Sequence, residues 1–385
     1  MTKVLRITTV PVSLKILLKG QLQFMSKHFE IVGVSSPGAE LEEVQKREGI
    51  RVIAVPMKRQ VSLMNDLISL IRLYFVVKKE KPQIIHTHTP KAGMLGMIAG
   101  WLARVPVRLH TVAGLPLMEE IGLKRRILNT VEKLTYACAT KIYPNSIGLK
   151  EFILAQGFCS EQKMKVIANG SSNGIDTIHF APDKITEETK NVLRATYQLA
   201  NTDFIFIFIG RLVKDKGINE LISAFKKLNK EYPKVKLLLV GEQEAELDPL
   251  EPLTVQLIKA NQAIITTGFQ KDVRPYLSIA HALVFPSYRE GFPNVPMQAG
   301  SMGLPAIVTD INGCNEIILP GQNGEIIPPS DEAALYAKMT EWVANPEKVT
   351  QMAANSRELI VSRFEQKVVW EALLEEYKVL LKYGK

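Results

Sequence analysis

The sequence predicts an α/β protein built as two doubly wound parallel-sheet domains. Short apolar β-type runs alternate with helical segments along the chain, the pattern of parallel sheets flanked by helices. The pattern is interrupted at Asn169-Gly170-Ser171-Ser172-Asn173-Gly174-Ile175-Asp176, where Gly, Asn and Ser favour loops, and then it restarts. The 385 residues suffice for two domains, and 46% apolar residues can fill two cores.

In the first half the strand candidates are Leu5–Val10, Ile31–Ser35, Val52–Pro56, Ile84–His88, Val107–Val112, Lys141–Pro144 and Val166–Ala168. In the second half they are Phe204–Ile209, Lys236–Val240, Ile264–Thr267, Leu283–Pro286, Ala306–Thr309 and Glu325–Ile327. A first domain over 1–175 and a second over 176–365 follow, with strand ends facing each other across a central cleft. Residues from about Gln366 form a last helix. No repeat of 20–50 residues is present.

Cys138, Cys159 and Cys314 have no metal-ligand spacing and imply no disulfide framework. No apolar run approaches the roughly 20 residues that span a bilayer. The chain runs from its start into the β-like Val4–Val10 without a signal-peptide core, so a cytoplasmic protein is expected. Charge is uneven. Residues 1–170 hold 25 Lys+Arg against 12 Asp+Glu, a net of +13, and the remainder holds 23 against 27, a net of −4. A basic half suits nucleic acid, anionic lipid headgroups or a phosphorylated substrate. Zinc-finger spacing, an aromatic RNA-binding strand and a basic low-complexity arm are all missing, so nucleic acid is not expected.

The most informative stretch is Arg289-Glu290-Gly291-Phe292-Pro293-Asn294-Val295-Pro296-Met297-Gln298. An apolar β-type run precedes it, and a small-residue helix over Met297–Met302 follows. Open α/β sheets bind ligands at the carboxyl ends of their strands, and helix N-termini offer free N–H groups. Glu290 is placed to accept hydrogen bonds from a polar ligand, and Gly291 lets that ligand approach the backbone. Gln298 lies about two helical turns on and reaches a second part of the same ligand. A solvated Glu before an ordinary helix fits the same residues. After the strand Phe204–Ile209 come Gly210, Arg211, Lys216 and Gly217. Arg presents a planar fork to phosphate oxygens and Lys a mobile point charge. The chain contains no Asp-x-Asp, the usual carboxylate pair for a metal that holds a diphosphate, so no metal is expected.

In the first half, His110 closes the apolar run from Val107 and precedes Thr111-Val112-Ala113-Gly114. His86 and His88 share a strand face but lack a third metal ligand. A diphosphate acceptor resting on Lys91 and its helix N-terminus fits these residues better. Within Ser13–His28, Lys15, Lys19 and Lys27 interleave with apolar residues. Such a segment suits either a core helix or one lying on a membrane surface.

These motifs resemble those of the retaining GT-B glycosyltransferases of family 4. Glu290 and Gln298 match the signature Glu-x7-Glu, with Gln in place of the second Glu. Gly210 to Gly217 is similar to the family's diphosphate-binding Arg and Lys loop. Thr267-Gly268-Phe269 resembles its loop at the nucleotide base, and Asn312-Gly313-Cys314-Asn315-Glu316 its Gly-rich turn. The runs Thr8 to Pro11, His86 to Gly93 and Arg289 to Gln298 look closest to one bacterial group. It includes capsular and O-antigen hexosyltransferases and the α-1,3-N-acetylgalactosaminyltransferase that extends bacillosamine on polyprenyl diphosphate.

The resemblance implies a metal-independent GT-B enzyme that takes a hexose or N-acetylhexosamine from a UDP-sugar donor. The acceptor it implies is a polyprenyl-diphosphate-linked sugar at the inner face of an anionic membrane. The last helix would cross back onto the first domain. Arg211 and Lys216 would stabilise the leaving diphosphate. Glu290 would hold a sugar hydroxyl beside the N–H groups of Phe292, Asn294 and Val295, with Pro293 starting the helix. Gln298 would take the ribose, Gly268 and Phe269 the base, and His110 the reacting sugar. Acceptor contacts would come from Lys15, Lys19, His86, His88 and Lys91. Two alternatives stand beside this reading: a family 4 transferase for a soluble acceptor, and a non-catalytic sugar-nucleotide-binding regulator.

Overall fold

The computed structural model describes residues 1–60, 62–115, 117, 120–244, 246 and 248–383. It divides into two compact units, Met1–Gly174 with Gln366–Lys385, and Ile175–Glu365.

The first unit carries β1 (Lys3–Ile7), β2 (Glu30–Ser35), β3 (Arg51–Ala54), β4 (Ile84–Thr87), β5 (Val107–Val112) and β6 (Lys141–Pro144). They form one parallel sheet in the order β3-β2-β1-β4-β5-β6. The second unit repeats the design with β7 (Phe204–Ile209), β8 (Val235–Val240), β9 (Ile264–Thr266), β10 (Ala282–Phe285), β11 (Ala306–Thr309) and β12 (Gly324–Ile327). Its order is β12-β11-β10-β7-β8-β9, again parallel. Each sheet reverses direction between its first and fourth strands, β1 beside β4 and β7 beside β10. In doubly wound sheets that switch point opens the ligand crevice.

Helices cover both faces, so the central strands are continuous apolar runs. Every residue of β10 and β11 is buried, as are all but the first of β7. Two expected strands differ. Val166–Ala168 is not a strand: one bridge joins Met164 to Ile142, and Ala168 turns to φ +49, outside the extended region. The first strand ends at Ile7 because Pro11 opens a helix over Pro11–Leu17.

Much of Ser13–His28 packs into the core, while Ile16 stays 60% exposed. Leu14, Leu18, Leu22 and Met25 are all fully buried. Gly20, at φ +77, joins the helices Pro11–Leu17 and Gln21–Ser26, and a Cβ there would lie 2.7 Å from the Trp370 ring. Trp370 belongs to the last helix, Gln366–Tyr383, which docks on the first unit. Its indole N–H donates to Asn173 Oδ1 at 2.7 Å, and the Tyr377 hydroxyl meets His86 Nδ1 at 2.6 Å. Where the chain passes between units, Ile175 bridges Glu365 and its N–H donates to Phe364 O at 2.8 Å. Among the described residues no helix is long and apolar enough to cross a membrane.

Candidate active site

In the second unit the loops after β7 and β10 close onto each other at the switch point. Gly217, at φ +69, ends the 3-10 turn Lys214–Lys216 and opens the helix Ile218–Glu231. A Cβ at Gly217 would lie 2.1 Å from Pro286 O, so only glycine permits this approach. The contact sets Lys216 against the residues that follow β10. Its Nζ donates to Glu290 Oε1 at 2.6 Å, and the Ser287 hydroxyl donates to the same oxygen at 3.1 Å. Behind them Arg289 Nε donates to Asp215 Oδ2 at 3.0 Å, and the Tyr288 N–H to Asp215 O at 2.8 Å. Ser287 and Asp215 were not singled out from sequence. Ser287 is the second residue past β10, but a hydroxyl there carries no sequence pattern of its own.

The loop after β11 finishes the enclosure. Asn312 Nδ2 donates to Gly291 O at 2.5 Å. Gly313, at φ +77, packs so closely that a Cβ would stand 2.8 Å from Pro293 Cδ and 2.9 Å from Phe292 Cα. Phe292 packs on Phe364 with ring centroids 5.6 Å apart. Pro293 leads into the helix Asn294–Ser301, which starts earlier than the expected Met297 and has no side-chain cap. Its first-turn N–H groups, including those of Asn294 and Val295, are therefore available to oxygen atoms of a ligand. Gln298 is half-buried on this helix. Among the described residues its carboxamide makes no hydrogen bond.

Arg211 lies at the carboxyl end of β7, just past Gly210, and is 59% exposed while paired with Glu244. The Gly210 carbonyl sits where a Cβ on Gly241 would be, 1.8 Å away, which locks the loops after β7 and β8 together. Gly241 in turn donates its N–H to Gly268 O at 3.0 Å. Beside Gly268, Phe269 stands 70% exposed, a flat apolar surface at the edge of the same sheet. Buried Cys314 lies behind the pair, its thiol pushed well up by burial and further by Glu290, with Lys216 opposing.

In the first unit β5 continues past His110 to Val112, because Thr111 and Val112 pair with Tyr143 and Pro144. His110 is therefore inside the strand and 3% exposed. Its Nδ1 meets Thr87 Oγ1 at 2.7 Å. Gly93 makes room for the ring: a Cβ there would lie 2.4 Å from His110 Cε1. Burial pushes the His110 pKa down to about 4, so the imidazole is neutral near pH 7.

His86, His88 and Lys91, expected to contact an acceptor, each have partners within the first unit. His86 is held between Tyr377 and Thr111, with Nε2 at 2.7 Å from the Thr111 hydroxyl. Buried His88 accepts from Arg6 Nε at 3.0 Å. Burial holds both imidazoles well below the usual range. Lys91 Nζ is bound by Asp66 at 2.7 and 2.9 Å and by Gln60 O. These residues pin the first sheet to its helices. Lys15 pairs with Glu43, and Lys19 is exposed. Among the described residues no three His, Cys, Asp or Glu side chains cluster to hold a metal.

Two six-stranded parallel sheets, with a cation–carboxylate pair at the switch point of the second, define a GT-B glycosyltransferase fold. The family model for glycosyl transferases group 1 matches residues 189–359, and that for a glycosyl transferase 4-like domain matches 27–170. The chain is 33% identical to the capsular polysaccharide biosynthesis glycosyltransferase CapM of Staphylococcus aureus, over 99% of this chain and 98% of that protein. It is 31% identical to the Escherichia coli UDP-Gal:alpha-D-GlcNAc-diphosphoundecaprenol alpha-1,3-galactosyltransferase, over 82% of this chain and 81% of that one. The crystal structure of Anabaena HepE in complex with UDP superposes with a TM-score of 0.81 at 19% identity, covering 98% of this chain and 100% of that chain. The protein belongs to the group 1, family 4-like glycosyltransferases.

Proposed function

We propose that this glycosyltransferase moves a hexose or N-acetylhexosamine from a UDP-sugar to a sugar carried on a polyprenyl diphosphate. It does so at the inner face of the bacterial membrane, in capsule or related glycan assembly, with retention of configuration and without a metal. The observation that carries this reading is the Lys216–Ser287–Glu290 cluster at the switch point of the second sheet. A nucleoside diphosphate gains negative charge as its bond to the sugar breaks. Lys216 and Arg211 are cations already in place for that charge, which favours the transition state over the ground state. No Asp-x-Asp is present to hold a divalent cation, and two cations with uncapped helix N–H groups can take its role.

On this reading the β-phosphate draws Lys216 away from Glu290, and the freed carboxylate accepts from a sugar hydroxyl. Gln298 offers an accepting oxygen and a donor to the ribose, and Phe269 a stacking face to the base. Neutral His110 contacts the donor sugar. The acceptor hydroxyl attacks from the leaving-group side: the new glycosidic bond forms as the sugar–phosphate bond breaks, and a phosphate oxygen takes the proton. The name of the Escherichia coli relative supports the class of donor and of acceptor, and that of the Staphylococcus aureus relative the capsular setting. The test is transfer from a panel of UDP-sugars to diphosphate-linked sugar acceptors. Transfer to free sugars alone would point to a soluble acceptor, and binding of UDP-sugar without transfer or hydrolysis to a regulator.

A further inference from the structure

The helix Leu63–Glu80 buries Ser69, Leu73 and Val77 and turns its other face to solvent. That face presents Leu63, Met64, Leu67, Ile68, Ile71 and Phe75, each between 41% and 85% exposed. Their spacing of three and four puts them in one stripe over three turns. Arg72, Lys78 and Lys79 continue the same stripe, all exposed. The helix Gly122–Cys138 repeats the arrangement, with Leu123, Ile127 and Leu134 exposed beside Lys124, Arg126 and Lys133. The helix Pro90–Leu102 packs between the two. The acidic residues of these two outer helices are Asp66, Glu80 and Glu132, and all three are buried. The exposed charge on the two helices is therefore positive, with Lys124 paired to Glu120 just before the second helix.

A contiguous apolar stripe of this kind marks an interaction surface. We propose that the faces of Leu63–Glu80 and Gly122–Cys138 are the surface on which the protein docks to an anionic lipid bilayer. The apolar side chains enter the interface, and the six Lys and Arg side chains meet the headgroups. Charge selects this occupant over a second copy of the chain, since two such faces would oppose positive to positive. The docking surface is thus distinct from Ser13–His28, whose Leu14, Leu18, Leu22 and Met25 fill the core. This proposal rests on the lipid-linked acceptor reading and gives it a place on the molecule.

The test is co-sedimentation of the full chain with vesicles of phosphatidylglycerol and phosphatidylcholine, and of phosphatidylcholine alone. Binding to the anionic vesicles is expected, and salt should weaken it. Each cation near such a surface contributes roughly fivefold in affinity. Leu67→Glu/Ile71→Glu and Arg72→Glu/Lys79→Glu should each lower partitioning about tenfold or more, with wild-type melting temperatures. Lys15→Glu/Lys19→Glu should bind as wild type. No binding by wild type, or equal binding by all variants, overturns the proposal. So does a dimer in size-exclusion chromatography that the Leu67/Ile71 variant breaks without change in vesicle binding. Transfer to a short-chain, water-soluble diphosphate acceptor needs no vesicle. Its absence in wild type would reject the proposed function instead.

Discussion

Lys216 and Glu290, 74 residues apart in sequence, meet at 2.6 Å where the loops after β7 and β10 touch. Both are largely shielded from solvent, 16% and 19% exposed. The pair holds a mobile cation at the point where a doubly wound sheet receives its ligand. It also keeps the carboxylate occupied, and in the proposed function a donor phosphate competes for the lysine.

Removing the cation should therefore cost more than a surface charge would. Lys216→Ala is expected to lower turnover by roughly 10²-fold or more, the scale for losing one preorganised donor to developing charge. Arg211→Ala should lower it as well, while the melting temperature stays near wild type because Arg211 is an exposed partner of Glu244. Steady-state kinetics with a UDP-sugar checks this. Wild-type turnover in either variant would remove the diphosphate role.

Glu290 and Gln298 should separate kinetically. Ribose contacts are nearly equal in ground and transition states, whereas contacts to the sugar change as the anomeric centre flattens. Gln298→Ala should raise the donor KM with kcat little changed, and Glu290→Ala should mainly lower kcat. The reverse pattern would mean that the two side chains hold the opposite ends of the donor.

Stability should fall in mild acid. His86, His88 and His110 are all depressed by burial, His110 to about 4 from 6.5. They are neutral in the folded chain but take up protons in the unfolded chain below 6.5. Their contribution is thus fully present above 6.5 and is lost as pH falls toward 4. Glu132, raised by burial to about 7 from 4.5, works the other way: its contribution is lost as pH rises through 7. The net is about two protons, each about 1.4 kcal/mol per pH unit near pH 5. Melting temperature should climb between pH 5 and 6.5, and more steeply in Glu132→Gln. A flat profile would contradict three buried neutral imidazoles.

The His110 ring depends on the absence of a side chain at Gly93. Gly93→Ala should displace the ring and cost about 1–3 kcal/mol, the usual range for an overpacked core. Denaturant titration reads the loss, and kcat should fall with it. An Ala variant of wild-type stability would mean that the helix Pro90–Leu102 can shift away freely.

Most of the fold was legible in the chain because buried parallel strands are unbroken apolar runs, such as Phe204–Ile209. Val166–Ala168 misled because its apolar composition hides the left-handed Ala168. In the site, strand-end position alone pointed to Lys216 and Glu290, but not to Ser287 between them. A hydroxyl carries no pattern until the backbone places it. For His86, His88 and Lys91 the sequence hides their partners in the fold. Strand-end histidines and a helix-opening lysine look like ligand groups, yet Tyr377, Arg6 and Asp66, each distant in sequence, occupy them. The apolar stripe of Leu63–Glu80 went unnoticed because its period of about 3.6 residues fits a buried face equally well.

In the proposed function the second unit activates a UDP-sugar with cations alone, and the sugar keeps its configuration. The most direct measurement is the anomeric proton coupling, by NMR, of the product formed from a UDP-α-sugar and a diphosphate-linked sugar acceptor in excess EDTA. An α-linked product at the rate seen without EDTA is expected. A β-linked product, or activity that disappears in EDTA and returns with Mg²⁺ or Mn²⁺, would contradict the account.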